Sequence, residues 1–317
     1  MSELTIAVCT RDRPSDLARC VRSVLAAESP VDPRVEVLIV DDGRLPGLFV
    51  CRLEQAVRNR GHGFRYLLQG EPRGLIHGRV AAVRKTTSEI LLFLDDDVEI
   101  DRAYLRLLAN CYRAHPDAAG IGGIDTLLGG PSALGSVFAR LFLLDSGAPG
   151  RLSPSGFSWS MVRWALQRRC FRTQVLSGSN MSFRRQALET LAPGSWLEGY
   201  SLGEDIYVSL VAAAHGPLWI DPVLRVRHRR SAAPRMAEAA LAYHTIVNPY
   251  HLLQWRSARW WNYAALLWTI AGLILRELLR ADHASALTGY FRGLRRIIDD
   301  LPQTLAARPV DGPRVPS

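Results

Sequence analysis

The sequence predicts an α/β fold in which helices flank a mostly parallel, doubly wound sheet. Short apolar runs alternate with segments whose apolar residues repeat at helical spacing, and this alternation is typical of strands linked by helices. The clearest run is Ile90–Leu94, which leads directly into three carboxylates, Asp95, Asp96 and Asp97. A continuous apolar run of this length indicates a strand buried on both faces.

Each element is predicted from apolar spacing and from the turn residues that bound it. We expect strands at residues 4–9, 35–40, 64–68, 90–94, 119–124, 218–221 and 223–228. We expect helices after Pro14, at residues 48–59, around 80–84, at 101–115 and from Glu204.

The middle of the chain is less regular, because glycine and proline loop signals interrupt residues 125–175. Within it, the apolar segment 137–144 is interpreted as a core helix in preference to an exposed patch. The small residues of 176–184 predict a loop that leads into a helix, and a second loop precedes Glu204.

Charge is distributed unevenly along the 317 residues. The chain carries a net charge of +9, and residues 224–317 contribute +8 of it through 14 arginines against six acidic residues. We therefore expect a globular domain at residues 1–235 and a basic helical extension at 236–306. The proline-rich residues 307–317 are expected to be a disordered tail.

The extension combines tryptophans, arginines and apolar residues. The mostly apolar stretch 260–275 is shorter than the roughly 20 residues that a membrane-spanning helix needs, and 290–301 is amphipathic. Aromatic and arginine flanks suit a lipid headgroup region, so we expect contact with a membrane surface through residues 255–300. A helical cap over the domain core is the open alternative.

The five cysteines are scattered, and no two have the spacing of metal ligands. Each lies in an apolar or helical context, so we expect small core residues of a reduced, cytoplasmic protein. Because a strand begins at Leu4, we expect no signal peptide. A cytoplasmic protein with a membrane-contacting extension is expected to be peripheral at the inner face of the cell membrane.

Polar loops follow several strands of the predicted sheet. They contain Thr10 to Arg13, the pair Asp41 and Asp42, and Asp95 to Asp97. The carboxyl ends of strands in open α/β sheets are where ligands bind, and clustered carboxylates suit Mg2+ or Mn2+. Solvated acidic turns explain the same residues equally well at this point.

Several motifs, taken in order, resemble those of a known family. They are Thr10-Arg11-Asp12-Arg13, Val40-Asp41-Asp42-Gly43, Gly74-Leu75 with Arg79, Phe93-Leu94-Asp95-Asp96-Asp97, Gly178 to Arg184, Glu198 with Gly203-Glu204-Asp205, and His228. Their order and spacing resemble the family 2 glycosyltransferases over roughly residues 3 to 230. The resemblance implies a GT-A fold, and it implies sugar transfer with inversion of anomeric configuration.

The resemblance also implies substrates, a cofactor and site residues. It implies a nucleotide-diphosphate sugar donor, a Mg2+ or Mn2+ ion and a hydroxyl acceptor. Together with the helical extension, it leads us to expect a lipid-linked (for example polyprenyl-linked) or cell-envelope glycan as that acceptor, with a soluble metabolite or natural product as the alternative. Asp97, Asp95 and His228 would bind the metal; Thr10, Arg11, Arg13, Asp41, Asp42, Arg79, Asp95 and Asp96 would contact the donor. Asp205 would be the catalytic base with Glu204 as its partner, and Gly178, Ser179, Asn180 and Glu198 would face the acceptor.

Other functional classes fit the sequence less well. A haloacid-dehalogenase-type phosphatase would carry its Asp-x-Asp motif on the first strand, with Thr or Val where Glu99 stands. A nucleotidyltransferase would have a glycine-rich loop, and residues 4–14 contain no glycine. A non-catalytic scaffold would not need the acidic residues of the motifs. Nucleic-acid binding is not expected, because the basic charge accompanies apolar helices.

Overall fold

A computed structural model describes residues 3–28, 34–197, 199, 201–230, 236–280 and 284–306. The chain divides into two compact units. The first consists of Met1–Gly130 and Trp164–Ala232, and the second of Pro131–Arg163 and Ala233–Ser317. The tail expected at 307–317 lies outside the described residues.

The first unit is built on one sheet, whose strands contain the apolar runs identified in the sequence. They are β1 (Glu3–Thr10), β2 (Arg34–Asp41), β3 (Gly63–Leu68), β4 (Ile90–Asp95), β5 (Val98–Ile100), β6 (Gly120–Asp125), β7 (Phe171–Thr173), β8 (Asn180–Arg184) and β9 (Leu218–His228). Two segments predicted as separate short strands, 218–221 and 223–228, are one strand, because pairing continues along both.

The strand order is β3-β2-β1-β4-β8-β6-β9-β5, with β7 also paired to β9. The pairs among β1 to β4 are parallel, whereas β8 runs antiparallel to both β4 and β6. Parallel neighbours place their carboxyl ends at one edge, so Thr10, Asp41 and Asp95 end adjacent strands there.

The helices of the first unit link these strands. They are α1 (Pro14–Ala26), α2 (Gly47–Arg58), α3 (Leu75–Lys85), α4 (Tyr104–Ala114) and, later in the chain, α6 (Glu204–Ala213). Their apolar faces pack on the sheet and form a core with buried residues such as Leu17, Val57 and Leu105. This arrangement confirms the predicted mixed α/β fold with a central, mostly parallel sheet.

Strand β8 corrects the expectation of a loop leading into a helix at 176–184. Its residues Asn180 to Phe183 are buried, and the strand lies between β4 and β6 in the centre of the sheet. Ser182 donates a hydrogen bond to the carbonyl of Ile121 at 2.6 Å, so its hydroxyl is satisfied inside the core. Small polar residues that are satisfied in this way give no alternating apolar pattern, and the sequence therefore predicted a loop.

The second unit is helical. It contains α5 (Ala133–Leu141), α7 (Glu238–Trp255), α8 (Trp260–Leu278) and α9 (Ala284–Ala306). Its core joins residues of the early segment, such as Leu144 and Phe157, to residues of the late helices, such as Tyr250 and Ile270. The expected boundary at residue 235 is therefore corrected for 131–163, because the apolar residues of this segment are buried among those of the late helices.

The prediction of a core helix at 137–144 was only partly right. Ala139, Phe142 and Leu144 are buried, but Val137 and Leu141 are more than half exposed, so the segment is core on one face and exposed on the other. The segment 290–301 is amphipathic, as predicted: Tyr290 and Ile297 belong to the core of the second unit, whereas Phe291 and Ile298 are each 54% exposed.

Helix α8 presents an apolar face to solvent. Every exposed residue of this helix is apolar: Trp260, Trp261, Ala264, Trp268, Ala271, Leu275 and Leu278. From Trp261 on, these positions follow each other at intervals of three and four, so they form one stripe along the helix. Within the part of the chain that the structure describes, no helix is both long enough and apolar enough to cross a membrane.

The cysteines are all free thiols. Cys20 and Cys111 are buried and Cys9 and Cys170 are partly buried, as expected for small core residues, but Cys51 is exposed on α2. The helical context of Cys51 led to the expectation of burial, which is corrected here because the residue lies on the solvent side of its helix.

Candidate active site

The three carboxylates at the end of β4 point in different directions. Asp97 is fully buried, Asp96 is nearly so, and Asp95 retains 18% of its side-chain exposure. Asp97 is adjacent to β5, which pairs with the end of β9 so that Val98 lies opposite His228. This ladder brings the late histidine to the acidic motif across more than a hundred residues of sequence.

Asp95, Asp97 and His228 form a compact cluster. One ligand atom from each residue lies within 4.8 Å of the other two. His228 Nε2 and Asp97 Oδ1 lie 2.9 Å apart. The backbone amide of His228 donates to Asp125 at 3.2 Å, and the carbonyl of Asp97 accepts from the amide of Arg229 at 2.9 Å. The backbone on both sides of the cluster is therefore fixed.

Asp96 faces β1. Its Oδ2 accepts a hydrogen bond from the Thr10 hydroxyl at 2.8 Å, and its Oδ1 lies 3.4 Å from Nη1 of Arg13. Burial raises the pKa of Asp96 to about 6, against the opposing effects of Thr10 and Arg13. Arg13 also lies 3.9 Å from Asp97 and is one-fifth exposed, so it can meet both the acidic motif and a bound anion. Arg11 is exposed in the loop after β1.

Asp41 and Asp42 organise the loops after β2. Asp41 is fully buried, and its two oxygens accept hydrogen bonds from the amides of Gly43 and Leu45 and from the Tyr66 hydroxyl. Asp42 is partly exposed and accepts from the amides of Arg73 and Gly74 at 2.7 and 3.0 Å. Of the two, only Asp42 retains access to a ligand. Tyr66, whose hydroxyl donates to Asp41, was not predicted as a site residue, because its place in a strand pattern does not indicate this contact.

Arg79 lies on α3 and is 2% exposed. Its Nη2 is 2.9 Å from Glu204 Oε1, 3.2 Å from the carbonyl of Gly178 and 3.5 Å from Asp95 Oδ1. Its guanidinium also lies over the ring of Phe93, 5.2 Å from the centroid. These three polar contacts all involve Nη2, and the diphosphate contact expected of Arg79 from the sequence stays a prediction.

Glu204 and Asp205 open α6 and have different surroundings. Glu204 is buried against Arg79, and among the described residues its Oε2 has no hydrogen-bond partner. Burial raises the pKa of Glu204 to about 8, although Arg79 acts in the opposite direction. Asp205 is partly exposed; its oxygens accept from the amides of Gly178 at 3.2 Å and Ile206 at 2.9 Å. Burial also raises the pKa of Asp205, and these amides and Arg79 lower it.

Of the residues expected to face the acceptor, Gly178 lies beside the candidate base, whereas Ser179 and Asn180 are buried. Gly178 lies against Arg79, Glu204 and Asp205, whereas Asn180 is fully buried and accepts from the amide of Gly123 at 2.8 Å. Ser179 is buried and its hydroxyl lies 2.9 Å from that of Ser177. Asn180 and Ser179 are thus held inside the protein instead of facing an acceptor. Glu198 lies outside the described residues.

Comparison with known proteins identifies the family of the chain. The sequence model of glycosyl transferase family 2 matches residues 5–191, more than half of the chain. The chain belongs to glycosyl transferase family 2. The matched segment includes β1 to β4 with the acidic motif, and it ends before Glu204, Asp205 and His228, whose association with the site rests on geometry.

Solved structures share the fold of this family 2 chain. GalNAc-T7 with UDP, GalNAc and Mn2+ has a TM-score of 0.57 and 16% identity over 96% of this chain and 58% of its own. TarS from S. aureus has a TM-score of 0.53 and 13% identity over 95% of this chain and 50% of its own. Residues 1–349 of TarS with UDP-GlcNAc give a TM-score of 0.56 and 14% identity over 96% of this chain and 83% of their own. The first two structures are therefore matched over only about half of their length, and the GT-A fold is what all of them share with this chain.

The cluster of the family 2 chain has the composition of a divalent-cation site. Two carboxylates and one imidazole supply oxygen and nitrogen ligands, and their separations leave room for one ion to contact all three residues. Asp97 Oδ1 and His228 Nε2 are largely buried and lie 2.9 Å apart, and Nη1 of Arg13 lies 3.9 Å from Asp97. A site of this kind suits Mn2+, which accepts both oxygen and imidazole ligands.

Proposed function

We propose that this family 2 chain transfers a sugar from a nucleotide-diphosphate sugar to a hydroxyl acceptor, with inversion at the anomeric carbon. The observation that carries the proposal is the juxtaposition of a candidate cation site with a partly exposed carboxylate that can serve as a base. Asp95 belongs to the cation site, Asp205 is the base, and both lie near the buried Arg79.

The donor side consists of the cluster and the arginines beside it. Asp95, Asp97 and His228 would hold a divalent ion, which when bound stabilises negative charge on a departing diphosphate. Arg13 is exposed enough to bind a phosphate oxygen while it remains near Asp96 and Asp97. Arg11 is the second candidate for this contact, and Asp42 is the better placed acid for contact with the nucleoside.

The acceptor side contains the base. Direct displacement requires that the acceptor hydroxyl lose its proton on the face opposite the leaving group. Asp205 retains exposure and is oriented by two backbone amides, whereas Glu204 is buried against Arg79 and cannot reach an acceptor. We therefore assign proton abstraction to Asp205 and an orienting role to Glu204. The pKa of Asp205 is raised by burial, which brings it closer to the operating pH, as a general base requires.

The acceptor is proposed to be lipid-linked, and the protein to be peripheral at the inner face of the cell membrane. The support is the apolar stripe of α8, which extends to exposed Val137 and Leu141 through the contact of Trp268 with the Leu141 carbonyl at 2.7 Å. Exposed Arg140, Arg259 and Arg280 border these two helices, and the one acid of α8, Glu277, is buried. Tryptophan, apolar residues and arginine together suit an anionic lipid surface.

A donor panel tests the proposed reaction. Purified full-length protein is mixed with UDP-glucose, UDP-N-acetylglucosamine, UDP-galactose or GDP-mannose, each with Mn2+, Mg2+ or EDTA. We expect at least one nucleotide sugar to raise the melting temperature only when metal is present, with slow release of nucleoside diphosphate. Asp117→Asn, a substitution at an exposed position, serves as the control. If no nucleotide sugar binds with either metal, the proposed function is wrong.

A further inference from the structure

Arg79 is 2% exposed, whereas Arg11 and Arg13 near the same site are exposed or partly exposed. Removing a guanidinium from water is costly unless charged partners and hydrogen bonds compensate for the lost hydration. The compensation here comes from three chain segments, through Glu204 on α6, Asp95 at the end of β4 and the Gly178 carbonyl before β8. One side chain therefore connects three of the segments that border the candidate site.

Gly178 connects Arg79 to the candidate base. Its carbonyl accepts from Arg79 Nη2 at 3.2 Å, and its amide donates to Asp205 Oδ2 at 3.2 Å. A Cβ at this position would lie 3.0 Å from Nη2 of Arg79 and 3.1 Å from Oε1 of Glu204, both closer than ordinary contacts. Glycine thus lets the loop approach the ion pair closely enough to hold both the arginine and the aspartate.

The charges around Asp205 are unbalanced without Arg79. The groups that act on Asp205 and its neighbours are Arg79 from α3, Asp95 from β4, Glu204 from α6 itself and the buried thiol of Cys9 from β1. Arg79 is the cation in this group, and its positive charge lowers the pKa of Asp205. Without Arg79, the pKa of Asp205 would lie higher.

We propose that Arg79 is a positioning residue for the proposed transfer: it fixes the Gly178 loop and the start of α6, so that Asp205 is held in place toward the acceptor. The role rests on the proposed function. The positioning role explains why Arg79 on α3 is buried, and why glycine is found at position 178. Arg79 itself does not touch a reacting atom.

The main test separates positioning from stability. In the double variant Arg79→Met/Glu204→Leu, an apolar pair replaces the ion pair, and such replacements are often neutral for folding. We expect a melting temperature near that of the wild type, unchanged binding of UDP or GDP with Mn2+, and kcat for donor hydrolysis lower by about 100-fold. Because Asp205 would take up its proton more readily, the acid limb of the kcat profile should move to higher pH.

A second variant keeps every charge. Gly178→Ala should fold, because the change adds one methyl group, but it should push Arg79 and Glu204 away by a few tenths of an ångström. We expect a lower kcat with little change in KM for the donor. Arg163→Met is the matched control, because Arg163 also pairs with a buried acid, Asp145 at 2.7 Å, in the second unit. That control should lower the melting temperature without altering the pH profile.

The outcomes are distinct. If the double variant regains wild-type kcat and pH profile, Arg79 contributes only to folding and the positioning role is wrong. If the double variant does not fold, Gly178→Ala decides: unchanged kcat in that variant also overturns the role. If the wild-type protein releases no nucleoside diphosphate from any of the four nucleotide sugars with Mn2+, the proposed function itself fails, and the role of Arg79 fails with it.

Discussion

His228 Nε2 lies 2.9 Å from Oδ1 of Asp97, although 131 positions separate the two residues in sequence. The pairing of β5 with β9 brings them together, since Val98 lies opposite His228 in that ladder. His228 at the end of β9 therefore lies beside Asp97, which directly precedes β5. This relationship gives the cation site its third ligand and leads to the first prediction.

We expect His228→Ala to weaken Mn2+ binding by at least about tenfold, because the site loses its nitrogen ligand. Isothermal titration of Mn2+ in the presence of UDP measures the change directly. His215→Ala, at an exposed position after α6, is the control and should bind Mn2+ like the wild type. Equal affinity in His228→Ala and the control would remove His228 from the ligand set.

We expect Asp205→Asn to lower kcat by about 10²- to 10⁴-fold, the usual contribution of a general base. Donor binding should persist, because Asp205 is neither a proposed metal ligand nor a proposed donor contact. Initial rates and UDP binding, measured on the same preparation, separate the two effects. A variant that retains the full rate would show that another group takes the proton.

We expect Glu204 to make the protein less stable as the pH rises from about 5 to 8. Its pKa is raised by burial from 4.5 to about 8, so over this range the folded state holds a proton that the unfolded state has lost. The stabilisation is complete below the unfolded pKa and is lost as pH passes the folded one. Urea unfolding of wild type and Glu204→Gln measures the difference, and the variant should show the weaker dependence. Parallel curves would mean that Glu204 is ionised throughout.

We expect Leu275→Ser/Leu278→Ser to reduce binding to vesicles by about tenfold or more, because both side chains lie on the apolar stripe of α8. Sedimentation with phosphatidylcholine vesicles, with and without phosphatidylglycerol, provides the measurement. Leu48→Ser is a matched control, since Leu48 is 66% exposed on α2 in the first unit. If the wild type sediments with neither type of vesicle, the proposed membrane contact is wrong.

We expect Gly289→Ala to destabilise the second unit by about 1 to 3 kcal/mol, a typical effect of overpacking. A Cβ there would lie 2.0 Å from the carbonyl of Ala239, so α7 and α9 would have to separate. Gly129→Ala is the control, because a Cβ at Gly129 would meet nothing within 4 Å. Chemical unfolding of both variants checks the difference. Equal stabilities would indicate that the two helices adjust without cost.

Much of the first unit could be predicted from the sequence. The apolar runs before Asp41 and Asp95 indicated buried strands, and the acids after them indicated a ligand-binding edge, because parallel strands place such residues together. Strand β8 could not be predicted in the same way, since residues such as Ser182 are buried through hydrogen bonds to neighbouring strands. Those partners become known only when the strand order is known.

The interior of the candidate site was harder to predict. An arginine on a helix is assigned to the surface by default, and nothing near Arg79 in sequence indicates that its partners come from Gly178 and Glu204. Likewise, Asp41 and Asp42 are adjacent, but their different exposures depend on Tyr66 and on the loop at Arg73. Side-chain pairing between distant segments determines these roles, and local spacing does not encode it.

The long strand β9 also restricts how the length of this chain can vary. Its register shifts once against β6, next to Gly123, where a Cβ would lie 2.1 Å from the carbonyl of Leu224. Beyond that irregularity, a one-residue insertion or deletion would turn every following side chain to the opposite face of the sheet. His228 would then point away from Asp97. Length changes should therefore be tolerated around the exposed Gly129 and excluded between Leu224 and His228.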